Sequence, residues 1–196
     1  MLAHPTLDQL NAHGLYGLAK GFRELENTAE ARSLDHAEWL GLLLEYEMTL
    51  RRQKQFETRA RAARLRHPAS VEDVNYQSPR GLDRALFLKL AACDWIAERR
   101  NLLVTGAAGL GKSWLACALG HKACRENMSV LYTRVPRLFA DLAIAQGDPR
   151  YARLLRSIAR VKLLILDDWG RKPLRLSKRA ISSRSSKTAT TKAQSS

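Results

Sequence analysis

No stretch of this 196-residue sequence is apolar over the roughly 20 residues that would span a bilayer. The first ten residues, MLAHPTLDQL, lack the basic and apolar regions of a signal peptide. Both absences argue against a membrane protein and against a secreted one. The apolar share of 45% is ordinary for a globular protein. The sequence therefore predicts a cytoplasmic protein that makes no membrane contact.

Cysteine is scarce as well. Cys93, Cys117 and Cys124 are the three cysteines, and none of them stands in a CxxC or Cys/His spacing. This odd count and these spacings argue against a disulfide framework and against a zinc site. We expect reduced thiols that pack as small apolar side chains.

Acidic residues are few relative to basic ones. The chain has 33 Lys and Arg against 19 Asp and Glu, a net charge of +14, which indicates a polyanionic partner with nucleic acid first among the candidates. Residues 171–196 contain eight basic residues and no acid, with few large apolar side chains, so we expect a disordered basic tail. Residues 51–66 contain seven basic residues and the single acid Glu57. This second run indicates either a solvated helix face or a nucleic-acid contact.

The first 68 residues read as helical. Leucines recur at helical spacing from Thr6 to Glu26, which predicts one helix there. A second helix is expected from about Ser33 or Asp35, with Glu38 spaced for a capping box on Asp35, to about Arg66 before Pro68. Residues 69–80 look like a connector, and a third helix is expected over 81–100, with Leu82, Leu86, Leu90, Cys93 and Ile96 on one side.

From Asn101 the pattern changes to short strands that alternate with helices. The apolar runs 102–105, 129–133 and 161–168 predict strands, and residues 112–126, 136–146 and 150–159 predict helices. Such alternation is typical of a parallel α/β sheet.

The strand expected at 102–105 leads into a phosphate-binding loop. Residues 106–113 match G-x-x-x-x-G-K-[ST] and lie between an expected strand and an expected helix, which is the context this motif requires. Backbone N–H groups of the loop and the helix N-terminus would face phosphate oxygens. Lys112 would contact the β- and γ-phosphates of ATP, and the Ser113 hydroxyl would bind Mg²⁺. The proposed nucleotide-binding residues are Gly106, Ala107, Ala108, Gly109, Leu110, Gly111, Lys112 and Ser113.

A second acidic motif completes the predicted site. Four apolar residues, 163–166, end in Asp167 and Asp168, which places two carboxylates at the carboxyl edge of the sheet. Asp167 would hold Mg²⁺ directly or through water. Asp168 would orient or deprotonate the attacking water, so Asp168 and Lys112 are the candidate catalytic residues. The competing interpretation of Asp168 is a solvated acid at a strand end.

Several stretches resemble the IstB-type transposition helper ATPases of bacterial insertion sequences, a branch of AAA+ proteins close to the DnaC helicase loaders. They are NLLVTGAAGLGKSWLACALGHKAC, SVLYTRVPRLF, GDPRYARLL, LLILDDWG and the N-terminal HPTLDQLNAHGLYGLAKGF, EWLGLLLEYE and VEDVNYQSPRGLDR. The resemblance covers about residues 1–170. It implies a bacterial ATP- and Mg²⁺-binding protein whose helical N-terminal region engages DNA or a cognate transposase, with homo-oligomeric assembly on DNA.

The sequence departs from this family after Gly170. Family members continue with a sensor strand, an arginine finger and a helical lid. Residues 171–196 instead have a composition that a shifted reading frame or a truncated gene copy would explain. We therefore expect three parts: a helical region 1–68, a partial AAA+ domain 69–170 whose sheet is incomplete at its C-terminal end, and the tail 171–196. Hydrolysis would be impaired, and the homo-oligomeric assembly of the family is doubtful for a truncated chain. A replication helicase loader of the DnaC kind and a non-enzymatic nucleic-acid-binding remnant are the alternatives.

Overall fold

The computed structural model describes residues 4–78 and 81–169, which form eight helices and two strands. The expected tail 171–196 lies outside the described residues. Within these residues no helix combines the length and the apolar character that crossing a membrane would require. The elements are α1 Pro5–Ala12, α2 Tyr16–Glu26, a 3-10 turn Glu30–Ser33, α3 His36–Ala63, α4 Arg84–Ala91, α5 Asp94–Ala97, α6 Lys112–Arg125, β1 Val130–Arg134, α7 Val135–Ala145, α8 Pro149–Arg160 and β2 Leu163–Asp167.

The single helix expected over 6–26 is wrong, because the chain turns at Gly14. Gly14 adopts a φ of +72°, which a residue with a side chain rarely adopts. Its N–H donates to the Asn11 carbonyl over 3.0 Å, and the Leu15 N–H donates to the Leu10 carbonyl over 2.8 Å. These two bonds form a Schellman motif, which ends α1 and lets α2 start in a new direction.

Helix α3 begins as the sequence predicted. The Asp35 carboxylate accepts from the Glu38 N–H over 2.8 Å, and the Glu38 carboxylate accepts from the Asp35 N–H over 3.1 Å. The capping box is thus confirmed. The helix ends at Ala63, slightly before the expected Arg66, because Arg64 adopts a left-handed conformation with φ +52°.

Helices α2 and α3 pack backbone to backbone. A Cβ atom on Gly17 would lie 2.4 Å from the Glu47 Cα, and one on Gly21 would lie 2.8 Å from the Tyr46 ring. Larger residues at either position would hold the helices apart. Gly17 and Gly21 therefore allow the closest contact between α2 and α3.

Glu47 of α3 is buried in this contact and caps the N-terminus of α2. Its carboxylate accepts from the Gly17 N–H over 2.7 Å, from the Leu18 N–H over 3.1 Å and from the Arg51 guanidinium over 2.6 Å. Burial alone would raise the pKa of Glu47, but Arg51 and the two backbone donors outweigh burial and lower that pKa. The buried charge is therefore fully paired, and it fixes the position of α2 along α3.

The helix expected over 81–100 is divided into α4 and α5. Cys93 adopts a φ of +67°, which interrupts the helix and starts α5 in a different direction. The break also rotates the buried face: Phe87 and Ala91 are buried, whereas Leu86, which we expected to be inside, is 56% exposed. Tertiary packing has here overridden a helical spacing that looked continuous.

The sheet is parallel, which confirms the α/β class. Strands β1 and β2 pair in register from Val130 opposite Leu163 to Arg134 opposite Asp167. Helix α6 and the end of α3 cover this pair, and the main core cluster is Ala63, Cys93, Ile96, Ala123, Cys124, Val130 and Leu163. All three cysteines are free thiols and are buried, as expected, and burial raises the pKa of each.

The strand expected at 102–105 is absent. These residues form no regular structure and are exposed, Leu103 to 81%. An apolar run becomes a strand only where a neighbouring strand accepts its backbone hydrogen bonds. Within residues 4–78 and 81–169 the sheet consists of β1 and β2, so no third strand supplies those bonds.

Candidate nucleotide-binding site

The loop 106–111 curves into the N-terminus of α6. Gly109 and Gly111 adopt φ values of +84° and +78°, which explains why glycine stands at these positions. Helix α6 begins at Lys112 without a side-chain cap, so its first N–H groups remain available to an anion. Buried residues of α6, Leu115, Cys117 and Ala118 among them, anchor the helix below the loop.

Lys112 lies folded over the loop. Its ammonium group donates to the Gly106 carbonyl over 2.9 Å and to the Ala107 carbonyl over 2.6 Å. Both acceptors belong to the phosphate-binding motif, so the positive charge lies where the motif predicts phosphate oxygens. A phosphate would take over these contacts with a stronger, charge-assisted bond.

Asp167 lies beside Ser113, as the two sequence motifs predicted. The Asp167 Oδ2 accepts from the Ser113 hydroxyl over 2.9 Å and from the Tyr132 hydroxyl over 2.5 Å. Burial alone would raise the pKa of Asp167, but the hydrogen bonds from Tyr132, from the backbone and from Ser113 lower it on balance. Asp167 is therefore held as a carboxylate at the carboxyl end of β2.

The spacing of these two oxygens suits Mg²⁺. An octahedral Mg²⁺ binds oxygen at about 2.1 Å, so two neighbouring ligands lie about 3 Å apart, close to the 2.9 Å between Ser113 Oγ and Asp167 Oδ2. In the part of the chain that the structure describes, no group of three or more His, Cys, Asp and Glu could hold a metal. Two protein oxygens fit a metal that takes its remaining ligands from water and phosphate.

Asp168 follows β2 in a left-handed conformation with φ +58°. Its carboxylate accepts a hydrogen bond from the Arg134 guanidinium at the end of β1. This ion pair raises the pKa of Arg134. Asp168 is thus engaged by a cation, unlike the solvated strand-end acid that was the competing interpretation.

A protein-family model described as "IstB-like ATP binding protein" matches residues 8–187. The chain belongs to the IstB-like ATP-binding protein family. The resemblance inferred from the sequence motifs is thereby confirmed. The matched range continues beyond Gly170, where we expected the resemblance to end, and includes part of the basic segment 171–196.

Insertion-sequence proteins are the relatives of this IstB-like chain. It is 63% identical over 174 residues to the putative insertion sequence ATP-binding protein y4pL of Sinorhizobium fredii, a match that covers 89% of this chain and 71% of that protein. It is 49% identical to y4uH of the same organism, over 89% of this chain and 70% of the relative. It is 45% identical to the IS1162 putative ATP-binding protein of Pseudomonas fluorescens, over 87% of this chain and 74% of that protein.

Three residues beside the two acids were not predicted from the sequence: Tyr132, Arg134 and Arg66, whose Nη1 lies 3.8 Å from the Asp167 Oδ2. The first two belong to β1, whose parallel register with β2 brings its end beside the two acids. The strand SVLYT was predicted, so the rule that parallel strands present ligands at their carboxyl ends would have pointed to them. Arg66, by contrast, lies 101 positions before Asp167 in the sequence and no local pattern links the two.

Proposed function

We propose that this IstB-like protein binds ATP with Mg²⁺ at residues 106–113 and acts on DNA as the helper of a cognate transposase. The observation that carries the proposal is the pairing of Ser113 with Asp167 beside the loop that holds Lys112. ATP binding is the property for which the family and the relatives are named. The three relatives above are all named for insertion sequences, which favours transposition over helicase loading.

Each residue of the site has a distinct role in this proposal. Loop N–H groups and the α6 N-terminus bind phosphate oxygens, and Lys112 neutralises the β- and γ-phosphates. Ser113 and Asp167 would hold Mg²⁺, which when bound contributes charge neutralisation at the phosphates. Asp168 would orient the attacking water once Arg134 releases it. A phosphate-release assay with Asp168→Asn as background separates a helper ATPase from a non-enzymatic remnant.

Asp167→Asn is expected to remove most of the Mg²⁺ dependence of nucleotide binding. Asparagine keeps the volume, and its one carbonyl oxygen can still accept from Ser113 and Tyr132, but it brings no charge to the metal. Titration of a fluorescent ATP analogue should show affinity at least about tenfold weaker than wild type in Mg²⁺ and unchanged in EDTA. Asp141→Asn, at an exposed acid of α7, is the matched control. A Mg²⁺ response that survives Asp167→Asn would contradict the metal assignment.

The basic run 51–66 is only partly available to DNA. Arg51 pairs with Glu47, Arg59 donates to the Cys124 carbonyl over 3.1 Å, and Lys54 lies 4.6 Å from the Tyr16 ring centroid. These side chains are engaged in contacts within the protein, which argues against a nucleic-acid contact for this part of the run. The exposed bases Arg52, Arg61 and Arg64 remain as candidate phosphate contacts.

Helix α8 presents a stronger basic face, which sequence reasoning overlooked. Its sequence PRYARLLRSIAR contains no acid, and none of its residues is buried. Leu154 and Ile158 are the more sheltered residues, whereas its arginines are exposed. The arginines are Arg150, Arg153, Arg156 and Arg160. We propose that α8 and the exposed bases of α3 contact DNA phosphates without reading sequence.

Replacing Arg153, Arg156 and Arg160 by glutamine is expected to weaken DNA binding and to reduce its salt dependence. Removing one phosphate interaction lowers the slope of log affinity against log salt by about 0.9, so the slope of the triple variant should be smaller by about 2 to 3 units. The control replaces the exposed bases Arg84, Lys89 and Arg99 by glutamine, which removes the same charge elsewhere. Equal slopes in both triple variants would exclude α8 from the interface.

The finer architecture belongs to this proposal as well. We assign residues 1–68 to DNA or transposase contact and residues 69–170 to an AAA+-type ATP-binding domain, of whose sheet the described residues form β1 and β2. Support comes from the topology: the phosphate-binding loop and the Asp167 strand meet at the carboxyl edge of a parallel sheet. Assembly into homo-oligomers on DNA, implied by the family resemblance, is part of the same proposal.

A further inference from the structure

The segment that follows α3 lies directly on the nucleotide-binding unit. Ala63 and Ala69, which bracket this segment, are buried. Between them Leu65 packs so closely on α6 that a Cβ atom on Gly120 would lie 2.9 Å from Leu65 and equally close to Ile165 of β2. The end of the helical N-terminal region is therefore fixed against the helix and the strand that carry Ser113 and Asp167.

This packing places Arg66 beside Asp167. The Arg66 Nη1 lies 3.8 Å from the Asp167 Oδ2, the oxygen that also accepts from Ser113 and Tyr132. The Arg66 side chain is half exposed, whereas that of Asp167 is 19% exposed. One carboxylate oxygen thus has two neutral donors and one cation around it. The positive charge of Arg66 also favours the ionised form of Asp167, which helps to lower its pKa.

We propose that Arg66 is a positioning residue that opposes Mg²⁺ at Asp167. The inference rests on the proposed function, in which Asp167 and Ser113 hold the metal. In the arrangement described here Arg66 is the counter-ion of the carboxylate. A divalent cation on the same oxygen would meet the guanidinium at close range, and like charges at that distance repel. Arg66 must therefore move away when Mg·ATP binds, and its half-exposed side chain has solvent to move into.

Arg66 would therefore influence the Mg²⁺ concentration that nucleotide binding requires. Because Arg66 stabilises the metal-free carboxylate, it raises the Mg²⁺ concentration at which nucleotide is bound. The same free energy acts in the opposite direction, so bound Mg·ATP weakens the attachment of the Arg66 side chain to the site. Arg66 lies in the segment that follows α3. Its contact with Asp167 therefore couples this segment to the metal site electrostatically.

Arg66→Gln is expected to lower the Mg²⁺ concentration for half-maximal binding of a fluorescent ATP analogue by about fivefold, the upper range for a partly exposed charge pair. Arg66→Lys keeps the positive charge and should stay close to wild type. Arg137→Gln, which removes the same charge from an exposed position of α7, should also leave the titration unchanged. Binding in EDTA should be equal in all four proteins.

Three results would overturn the inference. If wild type requires Mg²⁺ and Arg66→Gln gives the same Mg²⁺ titration, Arg66 does not oppose the metal. The proposed function would then still stand. Weaker binding of Arg66→Gln in EDTA would make Arg66 a phosphate ligand instead. A wild type whose nucleotide binding is independent of Mg²⁺ would overturn both the metal assignment and this inference. Thermal unfolding of each variant verifies that the compared proteins are folded.

Discussion

Lys112→Ala is expected to reduce nucleotide affinity by more than about a hundredfold. The ammonium group already lies among the carbonyl groups of Gly106 and Ala107, so it is preorganised near the expected phosphate position. A charge-assisted hydrogen bond contributes about 1.5–3 kcal/mol, and this lysine would make two of them to phosphate oxygens. Equilibrium binding of a fluorescent ATP analogue to both proteins measures the loss, which should appear in Mg²⁺ and in EDTA alike.

Lys122→Ala provides the matched control for this experiment. Lys122 lies near the other end of α6 and forms an ion pair with Glu126, so its removal deletes one positive charge from the same helix without touching the loop. Its nucleotide affinity should equal that of wild type. If Lys112→Ala and Lys122→Ala bind nucleotide equally well, the loop is not the nucleotide site.

Gly17→Ala is expected to destabilise the helical N-terminal region by about 3 kcal/mol. The added methyl group would lie 2.4 Å from the Glu47 Cα and 2.6 Å from the Tyr46 carbonyl oxygen, and backbone atoms of α3 have no side-chain freedom with which to yield. Overpacking of this kind costs about 1–3 kcal/mol. Moving α2 outward also lengthens the bond from the Gly17 N–H to Glu47 and weakens the compensation of a buried charge.

Urea denaturation followed by helical circular dichroism measures this loss. With a slope of about 2 kcal/mol per molar urea, the midpoint should fall by about 1.5 M. Gly41→Ala is the control: Gly41 lies in α3 with nothing within 4 Å of the added Cβ, so this variant should gain about 0.5–1 kcal/mol from helix propensity. Similar midpoints for the two variants would show that α2 and α3 are not in backbone contact.

Local signals of the sequence predicted the elements that local interactions determine. The capping box at Asp35 fixed the start of α3, and the glycine motif fixed the start of α6. The predictions that failed concern the interior and the ends of long helical patterns. Gly14 and Cys93 divide helices whose apolar spacing continues across the break, because spacing alone contains no information about a positive φ at a single residue.

The failure at 102–105 has a different cause. Four apolar residues before the loop predicted a buried strand, but burial depends on what the rest of the chain places beside them. In the described residues β1 and β2 pair with each other, and Leu103 faces solvent. A short apolar run thus indicates that a segment can form a strand. Whether it does so depends on a neighbouring strand with which it can pair.

The site was predictable where motifs carry the chemistry. The juxtaposition of Ser113 and Asp167 follows from two motifs at the same edge of a parallel sheet. Tyr132 and Arg66 were missed because their contacts with Asp167 depend on strand register and on the packing of α3 against α6. Both are tertiary properties, and neither residue type identifies a nucleotide site by itself.

The phosphate-binding loop is held from one side only. Buried side chains anchor α6, which follows the loop, whereas residues 101–110, which include most of it, are exposed and outside the sheet. Few contacts then oppose conformational freedom on that side. Fixing the backbone of one residue costs about 1–2 kcal/mol in entropy, so part of the phosphate-contact free energy goes into ordering the loop. Nucleotide affinity is accordingly lower than the phosphate contacts alone would give.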